Sequence, residues 1–250
     1  MIVKAPSGRE ADIVVVDNED ALAERVADRF IDDAGAAISS RGRFNVALAG
    51  GTTPKAAYGL LARDPRRGEI EWEKIRFFFG DERCVAPADD ESNYKMARVA
   101  MFDPLRIDPA NVFRMRGEDD PERAAAAYAD VLRAQLGQEP RFDLIMLGMG
   151  PDGHTASLFP GSSPATDDRL LVNAHFVPKF GTHRITFTPR VINNAGAVLI
   201  ATAGPTKTDV LGHVLRGPYD PNTYPVQIVA PVHGTLTWYV DRAAAAKLGL

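Results

Sequence analysis

Short runs of apolar residues alternate along this chain with segments that carry apolar residues at helical spacing. The apolar runs predict strands, and they lie at residues 13–16, 44–49, 75–79, 144–147, 184–188, 197–201 and 236–240. Side chains that recur every three or four positions predict helices over about residues 22–38, 121–136 and 207–215. Strands that alternate with helices are typical of parallel βαβ units. The pattern therefore predicts an α/β fold with a doubly wound, mostly parallel sheet flanked by helices.

The ends of these segments add local detail. Asp17 and Asn18 precede the first helical segment, and either residue type can cap a helix, so the pattern leaves both open. The alanine run at 243–246 indicates a final helix. Because no linker, internal repeat or low-complexity stretch interrupts the pattern, we predict that residues 1–250 form a single domain.

Composition narrows the class of protein. The chain has 250 residues, a net charge of −4 and a pI of about 5.8, so it has no global basic field to attract nucleic acid or anionic lipid. A single cysteine, Cys84, excludes an internal disulfide and fits a reducing compartment. The start of the chain lacks the apolar region of a signal peptide, and no segment is apolar over the roughly 18 residues of a membrane span. We therefore expect a cytoplasmic protein that binds neither nucleic acid nor membrane.

The most informative segment runs from Asp143 to Phe159. An apolar run at 144–147 leads into a glycine-rich turn that carries His154 two residues after Asp152. In open parallel sheets, ligands bind outside the carboxyl ends of the strands. Histidine is the side chain best suited to move protons near neutral pH, so we predict that His154 and Asp152 are catalytic. The alternative is a histidine hydrogen-bonded into the core, but the Pro-Asp-Gly sequence before it favours exposure.

A second candidate is the glycine-rich loop that follows the strand at 44–49. Its residues are Gly50, Gly51, Thr52, Thr53, Pro54 and Lys55. Proline suits the first position of a helix, and Thr53 is placed to cap it. Glycines let an anion approach the backbone amides, and the helix dipole favours negative charge at this end. We predict an anion-binding loop to which Lys55 adds a full charge; the alternative is a tight βα turn without a ligand.

Further charged residues fall at other ends of the predicted strands and helices. Asp81, Glu82 and Arg83 follow the strand at 75–79 and are expected at the same sheet edge as the other two loops. Arg184 begins a predicted strand, and Lys207 begins a predicted helix. A cation at a helix N-terminus opposes the dipole, which makes sense if an anion binds there. A solvated loop and a solvated lysine are the alternative interpretations.

Several other kinds of site are not supported. The segment 148–153 formally matches G-x-G-x-x-G, but the acid expected about 20 residues later at the end of the next strand is missing. The loop at 50–55 lacks the P-loop spacing, and no G-x-S-x-G segment presents a serine nucleophile. The histidines show no metal-ligand spacing. The sequence thus predicts histidine acid/base chemistry without a metal or a nucleotide cofactor.

These motifs together resemble the 6-phosphogluconolactonase branch of the glucosamine-6-phosphate deaminase superfamily. The resemblance extends from Phe44 to Tyr239, and the segment 148–161, Gly-Met-Gly-Pro-Asp-Gly-His-Thr-Ala-Ser-Leu-Phe-Pro-Gly, is its most specific part. It also rests on the segments at 49–54, 79–83, 90–94, 184–186 and 191–193, together with Gly204 and Lys207. The departures are small: Thr52 stands where serine is common, and Thr182-His183 replaces a proline-rich approach that ends in glutamate.

The resemblance implies a doubly wound α/β fold and hydrolysis of 6-phosphoglucono-δ-lactone in the oxidative pentose phosphate pathway, with no metal or cofactor. It implies that His154 is the general base. The cations that it places on the phosphate or the lactone oxygens are Lys55, Arg83, Arg184 and Lys207. The expected partner is therefore a small phosphorylated sugar lactone, and no obligate protein partner is indicated.

The chemistry of lactone hydrolysis fits these residues independently. The reaction needs an activated water, stabilisation of the carbonyl oxygen as it gains charge, and a proton for the ring oxygen that departs. A histidine, whose ordinary pKa is about 6.5, can take the proton from water and return it. A neighbouring carboxylate sets its tautomer, and the sequence leaves Asp152, Asp81 and Glu82 open for this role.

Two other functions remain as alternatives. Glucosamine-6-phosphate deaminases share the fold, but in that family a glutamate follows the histidine by five residues, where this chain has Phe159, and tyrosine is usual in place of Arg83. A non-catalytic sugar-phosphate sensor would need an attached DNA-binding region, and about a dozen residues precede Ile13. The presence of His154 with Asp152 also favours an enzyme.

Overall fold

The chain forms an α/β fold in a computed structural model that describes residues 1–162 and 169–249. Its strands are β1 (Ile2–Lys4), β2 (Glu10–Val16), β3 (Phe44–Leu48), β4 (Ile75–Phe79), β5 (Asp81–Arg83), β6 (Leu144–Gly148), β7 (Val172–Val177), β8 (Thr182–Phe187), β9 (Ala197–Thr202) and β10 (Thr235–Asp241). Its α-helices are α1 (Glu19–Arg41), α2 (Thr52–Leu61), α3 (Asn93–Ala97), α4 (Asp103–Leu105), α5 (Pro121–Leu136), α6 (Pro189–Asn193), α7 (Thr208–Arg216) and α8 (Arg242–Ala245).

The central sheet has seven strands in the order β1-β2-β10-β9-β6-β3-β4. All its neighbours pair in parallel except β1, which pairs antiparallel with β2. From β3 the chain moves outward to β4 and then returns to β6 on the other side of β3. The direction of winding therefore reverses between β3 and β6, and such switch points leave a crevice at the carboxyl ends of the strands. The predicted doubly wound, mostly parallel sheet is confirmed.

A second, three-stranded sheet holds one of the predicted strands. Its order is β5-β8-β7, and both pairs are antiparallel. The expectation that the run at 184–188 continues the parallel pattern is wrong, because this run lies mostly in β8. Only the short 3₁₀ turn Pro178–Phe180 separates β7 from β8. A connection this short can join antiparallel strands only, since a parallel crossover needs a dozen or more residues.

Two apolar clusters cover the two faces of the central sheet. One contains α1 and α2 with Phe30, Phe44 and Tyr58, and the other contains α5 and α7 with Tyr128 and Phe142. Strands buried on both faces explain why their sequences are almost continuously apolar. For the start of α1, the structure selects Asn18 as the cap, because its side chain accepts a hydrogen bond from the Ala21 amide at 2.9 Å.

Buried tyrosines hold two strand ends at the carboxyl edge. The Tyr58 hydroxyl lies 3.0 Å from both the amide and the carbonyl oxygen of Ala49, just after β3. The Tyr128 hydroxyl accepts a hydrogen bond from the amide of Phe79, at the end of β4, at 2.9 Å. Burial raises the pKa of both hydroxyls, so they stay protonated. The loops that leave these strands therefore start from well-defined positions.

Candidate active site

A cavity of about 300 Å³ opens at the switch point of the central sheet. Its floor is made by the carboxyl ends of β3, β6 and β9 and by the residues that follow them, with Gly50, Gly148 and Thr202 among its lining. Its walls come from α2, from β5 and from the turn after β6. This is the position that the arrangement of strands predicts for a ligand.

The turn after β6 carries His154 into this cavity. The amide of Gly150 donates to the His154 carbonyl oxygen at 2.8 Å, and the Gly153 amide donates to the Gly150 carbonyl oxygen at 3.1 Å. Gly153 has a φ of 77°, which L-amino acids with a side chain rarely adopt. A Cβ on Gly150 would lie 2.0 Å from His154 Nδ1. The glycines of this segment therefore allow a tight turn with the imidazole folded back against it.

The imidazole of His154 is held by a carboxylate and an aromatic ring. Its Nδ1 lies 2.5 Å from Asp152 Oδ1. The ring of Phe159 packs against it with 4.4 Å between ring centroids. Since Asp152 occupies Nδ1, the second ring nitrogen, Nε2, is the one left to face a ligand, and no described residue bonds to it. This arrangement suits a histidine that exchanges a proton with a bound molecule.

The other oxygen of Asp152 contacts a residue that the sequence did not single out. Lys179 Nζ lies 2.9 Å from Asp152 Oδ2. Burial raises the pKa of Asp152, but the hydrogen bonds from His154 and Lys179 outweigh that effect and hold the pKa well below its usual range. Asp152 is therefore ionised throughout the physiological pH range, with one oxygen turned to each partner.

The first residues after β3 form the second wall of the cavity. Gly50, Gly51, Thr52 and Thr53 all line it. Helix α2 begins at Thr52 with Gly51 as its N-cap and no side-chain cap, so the prediction that Thr53 caps a helix beginning at Pro54 is wrong. Gly51 has a φ of 104°, a conformation that glycine adopts readily, and it offers no side chain to cap the helix. The amides at the start of α2 lack helical partners and point toward this end.

The carboxylates of Asp81 and Glu82 are engaged away from His154. Asp81 accepts hydrogen bonds from Ser157 Oγ at 2.7 Å and from Asn93 Nδ2 at 3.2 Å. Glu82 accepts from the amides of Asn93 and Tyr94 at 2.7 and 2.8 Å. Of the three carboxylates left open by the sequence, Asp152 is thus the one that contacts the imidazole.

Asn93 links this loop to the anion-binding loop. Its Nδ2 donates to the Asp81 carbonyl oxygen at 3.0 Å, and the residue lines the cavity. A Cβ on Gly50 would lie 2.0 Å from Asn93 Oδ1, so glycine is required for this close approach. Sequence reasoning did not assign Asn93 to the site, although the segment 90–94 was part of the resemblance. That resemblance was the sequence signal that could have assigned Asn93 to the site.

The two arginines of the prediction lie side by side across β5 and β8. Arg83 pairs in register with Arg184, and Arg83 lines the cavity. Arg184, beside it, is buried, with its guanidinium carbon 5.3 Å from the centroid of the Phe180 ring. Burial, followed by the charge of Arg83, lowers the pKa of Arg184. No described carboxylate lies within ion-pair distance of Arg184, so a cationic region borders the cavity without full neutralisation.

The two predicted lysines are placed differently. Lys207 closes the short 3₁₀ turn before α7 and lines the cavity; burial lowers its pKa, and Lys179 acts in the same direction. Lys55 is exposed and lines a separate surface depression with Asp20 and Glu24. It stands two positions after Thr53, which is about 200° around the helix from that residue. The structure thus brings Lys207, but not Lys55, to the cavity that His154 lines.

Two further observations limit the kind of site. Across residues 1–162 and 169–249, no three His, Cys, Asp or Glu side chains are grouped so that they could hold a metal ion. Among those same residues, no helix is both long and apolar enough to cross a membrane. The described groups are therefore a histidine–carboxylate pair, a helix N-terminus and several cations. Together with the switch-point cavity, they define the class of α/β proteins that bind an anionic small molecule beside a histidine.

Comparison with known proteins narrows this class. The family model of glucosamine-6-phosphate isomerases/6-phosphogluconolactonases matches residues 17–238, and the chain belongs to this family. It is 41% identical over 218 residues to a 6-phosphogluconolactonase from Synechocystis, covering 85% of this chain and 88% of that protein. It is 36% identical over 245 residues to a 6-phosphogluconolactonase from Mycobacterium tuberculosis, covering 94% of this chain and 98% of that protein.

Solved structures agree with this assignment. The 6-phosphogluconolactonase from Trypanosoma cruzi superposes with a TM-score of 0.86 at 29% identity, covering 96% of this chain and 97% of that chain. A monomeric glucosamine-6-phosphate deaminase superposes with a TM-score of 0.80 at 20% identity, covering 94% of this chain and 99% of that chain. At that identity the second likeness concerns the fold alone.

Proposed function

We propose that this protein hydrolyses 6-phosphoglucono-δ-lactone to 6-phosphogluconate in the cytoplasm, with His154 as the general base. The observation that carries the proposal is the contact of His154 Nδ1 with Asp152 on the wall of a cavity that also contains Arg83 and Lys207. The names of the family and of the relatives support the same substrate. The unpaired Cys84 fits a reducing compartment.

The proton transfers follow from the orientation of the imidazole. With Nδ1–H donating to Asp152, Nε2 carries the lone pair and takes a proton from a water that attacks the lactone carbonyl carbon. The imidazolium that forms is stabilised by the ionised Asp152. When the tetrahedral intermediate collapses, the proton passes from Nε2 to the ring oxygen, and the ester bond breaks. Asp152 supplies orientation and charge and stays unprotonated throughout.

The cations and amides around the cavity take the negative charges of the substrate. The phosphate carries close to two negative charges, and the carbonyl oxygen gains one in the transition state. Arg83, Lys207 and the free amides of Thr52 and Thr53 are the donors on the cavity wall. A donor aimed at the developing oxyanion is worth about 3 kcal/mol in such reactions. Arg184, buried beside Arg83, adds positive potential from the second sheet.

The rival function, amino-sugar-phosphate deamination, is less well supported. The resemblance to deaminases requires a glutamate at the position of Phe159, and here the phenyl ring packs directly on the imidazole. A phenyl ring neither accepts a proton nor carries charge. Glucosamine 6-phosphate is therefore tested as an alternative substrate.

The test is the decay of freshly generated 6-phosphoglucono-δ-lactone, followed by proton release against the spontaneous rate. We expect wild type to accelerate the decay and His154→Ala to lose at least about 10²-fold in kcat, because general-base catalysis contributes that much or more. His233→Ala is the matched control, since His233 is exposed on the loop before β10, at the opposite edge of the sheet. It should keep wild-type turnover.

Assays of the same proteins distinguish a lactonase from a deaminase and from a sensor. If wild type does not exceed the spontaneous rate but deaminates glucosamine 6-phosphate, the lactonase proposal is wrong. Binding of 6-phosphogluconate without turnover of either substrate would indicate a sensor. Thermal unfolding of His154→Ala must match wild type within a few degrees, because a loss caused by unfolding would not support the role of His154.

A further inference from the structure

Lys179 reaches the catalytic turn from a different sheet. It lies in the 3₁₀ turn Pro178–Phe180 that joins β7 to β8, and its ammonium contacts Asp152 Oδ2 at 2.9 Å. Asp152 belongs to the turn after β6 in the central sheet. The contact therefore ties the small antiparallel sheet to the residue that orients His154.

The two oxygens of Asp152 are divided between two donors. Oδ1 faces His154 Nδ1 at 2.5 Å, and Oδ2 faces Lys179 Nζ at 2.9 Å. We propose that Lys179 is a positioning residue that holds Asp152 in this orientation and offsets its charge, so that His154 stays unprotonated and active as a base at lower pH. This inference rests on the proposed function of His154, which it deepens.

The charge of Lys179 acts on the imidazole of His154 through Asp152. An ionised carboxylate beside an imidazole favours the protonated ring, which cannot act as a base. An ammonium on the far side of the same carboxylate opposes that effect. Because the Lys179 side chain is 55% exposed, water screens its charge, and an interaction of about 1 kcal/mol corresponds to roughly 0.5 to 1 pH unit.

Other charges near the imidazole remain in place when Lys179 is changed. Asp152 contacts the ring, and Lys207, Arg83 and Asp81 line the same cavity. Phe159 contributes an uncharged face on the ring. Lys179 is not among the lining residues, so its charge can be removed without changing the lining of the cavity.

The local structure places Lys179 with some precision. Its ammonium lies 5.5 Å from the centroid of the Phe180 ring, and that ring packs at 5.7 Å against Phe159, which in turn contacts His154. Gly181, with a φ of 63°, ends the turn. The side chain of Lys179 is 55% exposed. A bridge this exposed contributes little to stability, so its removal should change the chemistry more than the fold.

The test compares the pH dependence of Lys179→Met, Lys179→Arg and Lys74→Met with that of wild type. Lys74 forms an exposed ion pair with Glu71 before β4, so its substitution gives the same change in net charge away from the cavity. For Lys179→Met we expect the acid limb of kcat/KM to move up by about 0.5 to 1 pH unit. Lys179→Arg should restore the wild-type limb, and Lys74→Met should leave it unchanged.

A second measurement does not depend on the substrate. The NMR titration of the His154 ring, assigned by its loss in His154→Ala, should show a higher midpoint in Lys179→Met and not in the other two variants. Equal midpoints in wild type and Lys179→Met would overturn the inference. So would a raised KM with an unmoved limb, which would make Lys179 a substrate contact. If wild type lacks lactonase activity, the proposed function fails, and the ring titration still decides the role of Lys179.

Discussion

Two loops at the same edge of the central sheet carry similar polar residues and use them differently. The turn at 150–157 leaves Nε2 of His154 available to the cavity. In the loop at 81–94, Asp81 and Glu82 are buried, and Glu82 accepts hydrogen bonds from three backbone amides and from Ser92 Oγ. The two loops even touch, because Ser157 Oγ donates to Asp81 Oδ2 at 2.7 Å.

The difference shows how a carboxylate that can take part in a reaction is distinguished from one that only stabilises the fold. A carboxylate whose lone pairs are all occupied by the backbone has no capacity left for a ligand. Burial raises the pKa of Glu82, opposed by its amide hydrogen bonds, whereas the hydrogen bonds to Asp152 outweigh burial and lower the pKa of that carboxyl. Asp152 shares its charge with two side chains, one of which faces the cavity. Hydrogen-bond occupancy therefore separates the two loops better than composition does.

Of the substitutions in the two loops, Asp152→Asn should have the largest effect on turnover. An amide oxygen can still accept from Nδ1–H, but the negative charge that stabilises the imidazolium is gone. We expect kcat to fall by about 100-fold or more and the acid limb of kcat/KM to move to lower pH, opposite to Lys179→Met. Steady-state rates between pH 5 and 9 measure both. Unchanged turnover would remove Asp152 from the mechanism.

Gly150→Ala should perturb the first loop without changing its charges. The added Cβ would lie 2.0 Å from His154 Nδ1, so the imidazole must move away from Asp152. We expect at least about a tenfold loss of kcat, since small misplacements of catalytic groups are costly. Gly35→Ala in α1 is the control, because its Cβ meets nothing within 4 Å; it should keep turnover and add up to about 1 kcal/mol of stability. Normal rates for Gly150→Ala would contradict the observed packing.

Glu82→Gln should affect the stability of the protein more than its turnover, the opposite of Asp152→Asn. Each oxygen of Glu82 accepts from a backbone amide, so either orientation of the new side chain turns its NH₂ group toward an N–H donor. We expect a loss of about 1–3 kcal/mol in the free energy of unfolding. The kcat of the folded fraction should fall less than in Asp152→Asn. Urea denaturation at pH 7 and rates corrected for the folded fraction check this, and wild-type stability would show that Glu82 is not structural.

The smallest expected effect on turnover lies outside both loops, at His175 in β7. Both its ring nitrogens are buried without a hydrogen-bond partner among the described residues, and burial, with the charges of His183 and Arg184, lowers its pKa to about 4. An unfolded histidine titrates near 6.5, so between about pH 6.5 and 4 protons favour the unfolded chain. Wild type should therefore lose stability as the pH falls through this window.

His175→Phe removes this titration and no hydrogen bond. We expect it to lose less stability than wild type between pH 6.5 and 4, by up to about 3 kcal/mol, with turnover at pH 8 nearly unchanged. Urea midpoints across that range provide the measurement. If both proteins lose stability equally, the acid sensitivity lies in other groups. The variant also distinguishes the effect of the buried His175 on stability from the effect of His154 on the reaction rate.

Much of the fold and part of the site could be predicted from the sequence alone. Apolar runs located six of the seven strands of the central sheet, all but the short edge strand β1, because strands buried on both faces are almost continuously apolar. The sequence also placed Asp152 two residues before His154 in a tight turn, but it left Asp81 and Glu82 open as partners of the imidazole, and the structure selected Asp152. The glycine-rich loop at 50–53 could also be predicted from local sequence, because there a strand end leads directly into a helix N-terminus.

Tertiary structure decided what depends on distant contacts or on orientation around a helix. The small antiparallel sheet brings Lys179 to Asp152 and places Arg184 beside Arg83, and no local pattern encodes those distances. Lys55 lies about 200° around α2 from Thr53, and this rotation turns it away from the cavity. The sequence by itself thus determined which residues sit at the carboxyl edge of the sheet, through local periodicity and turn chemistry. Only the packing of the two sheets decided which of them meet, because that depends on contacts between segments far apart along the chain.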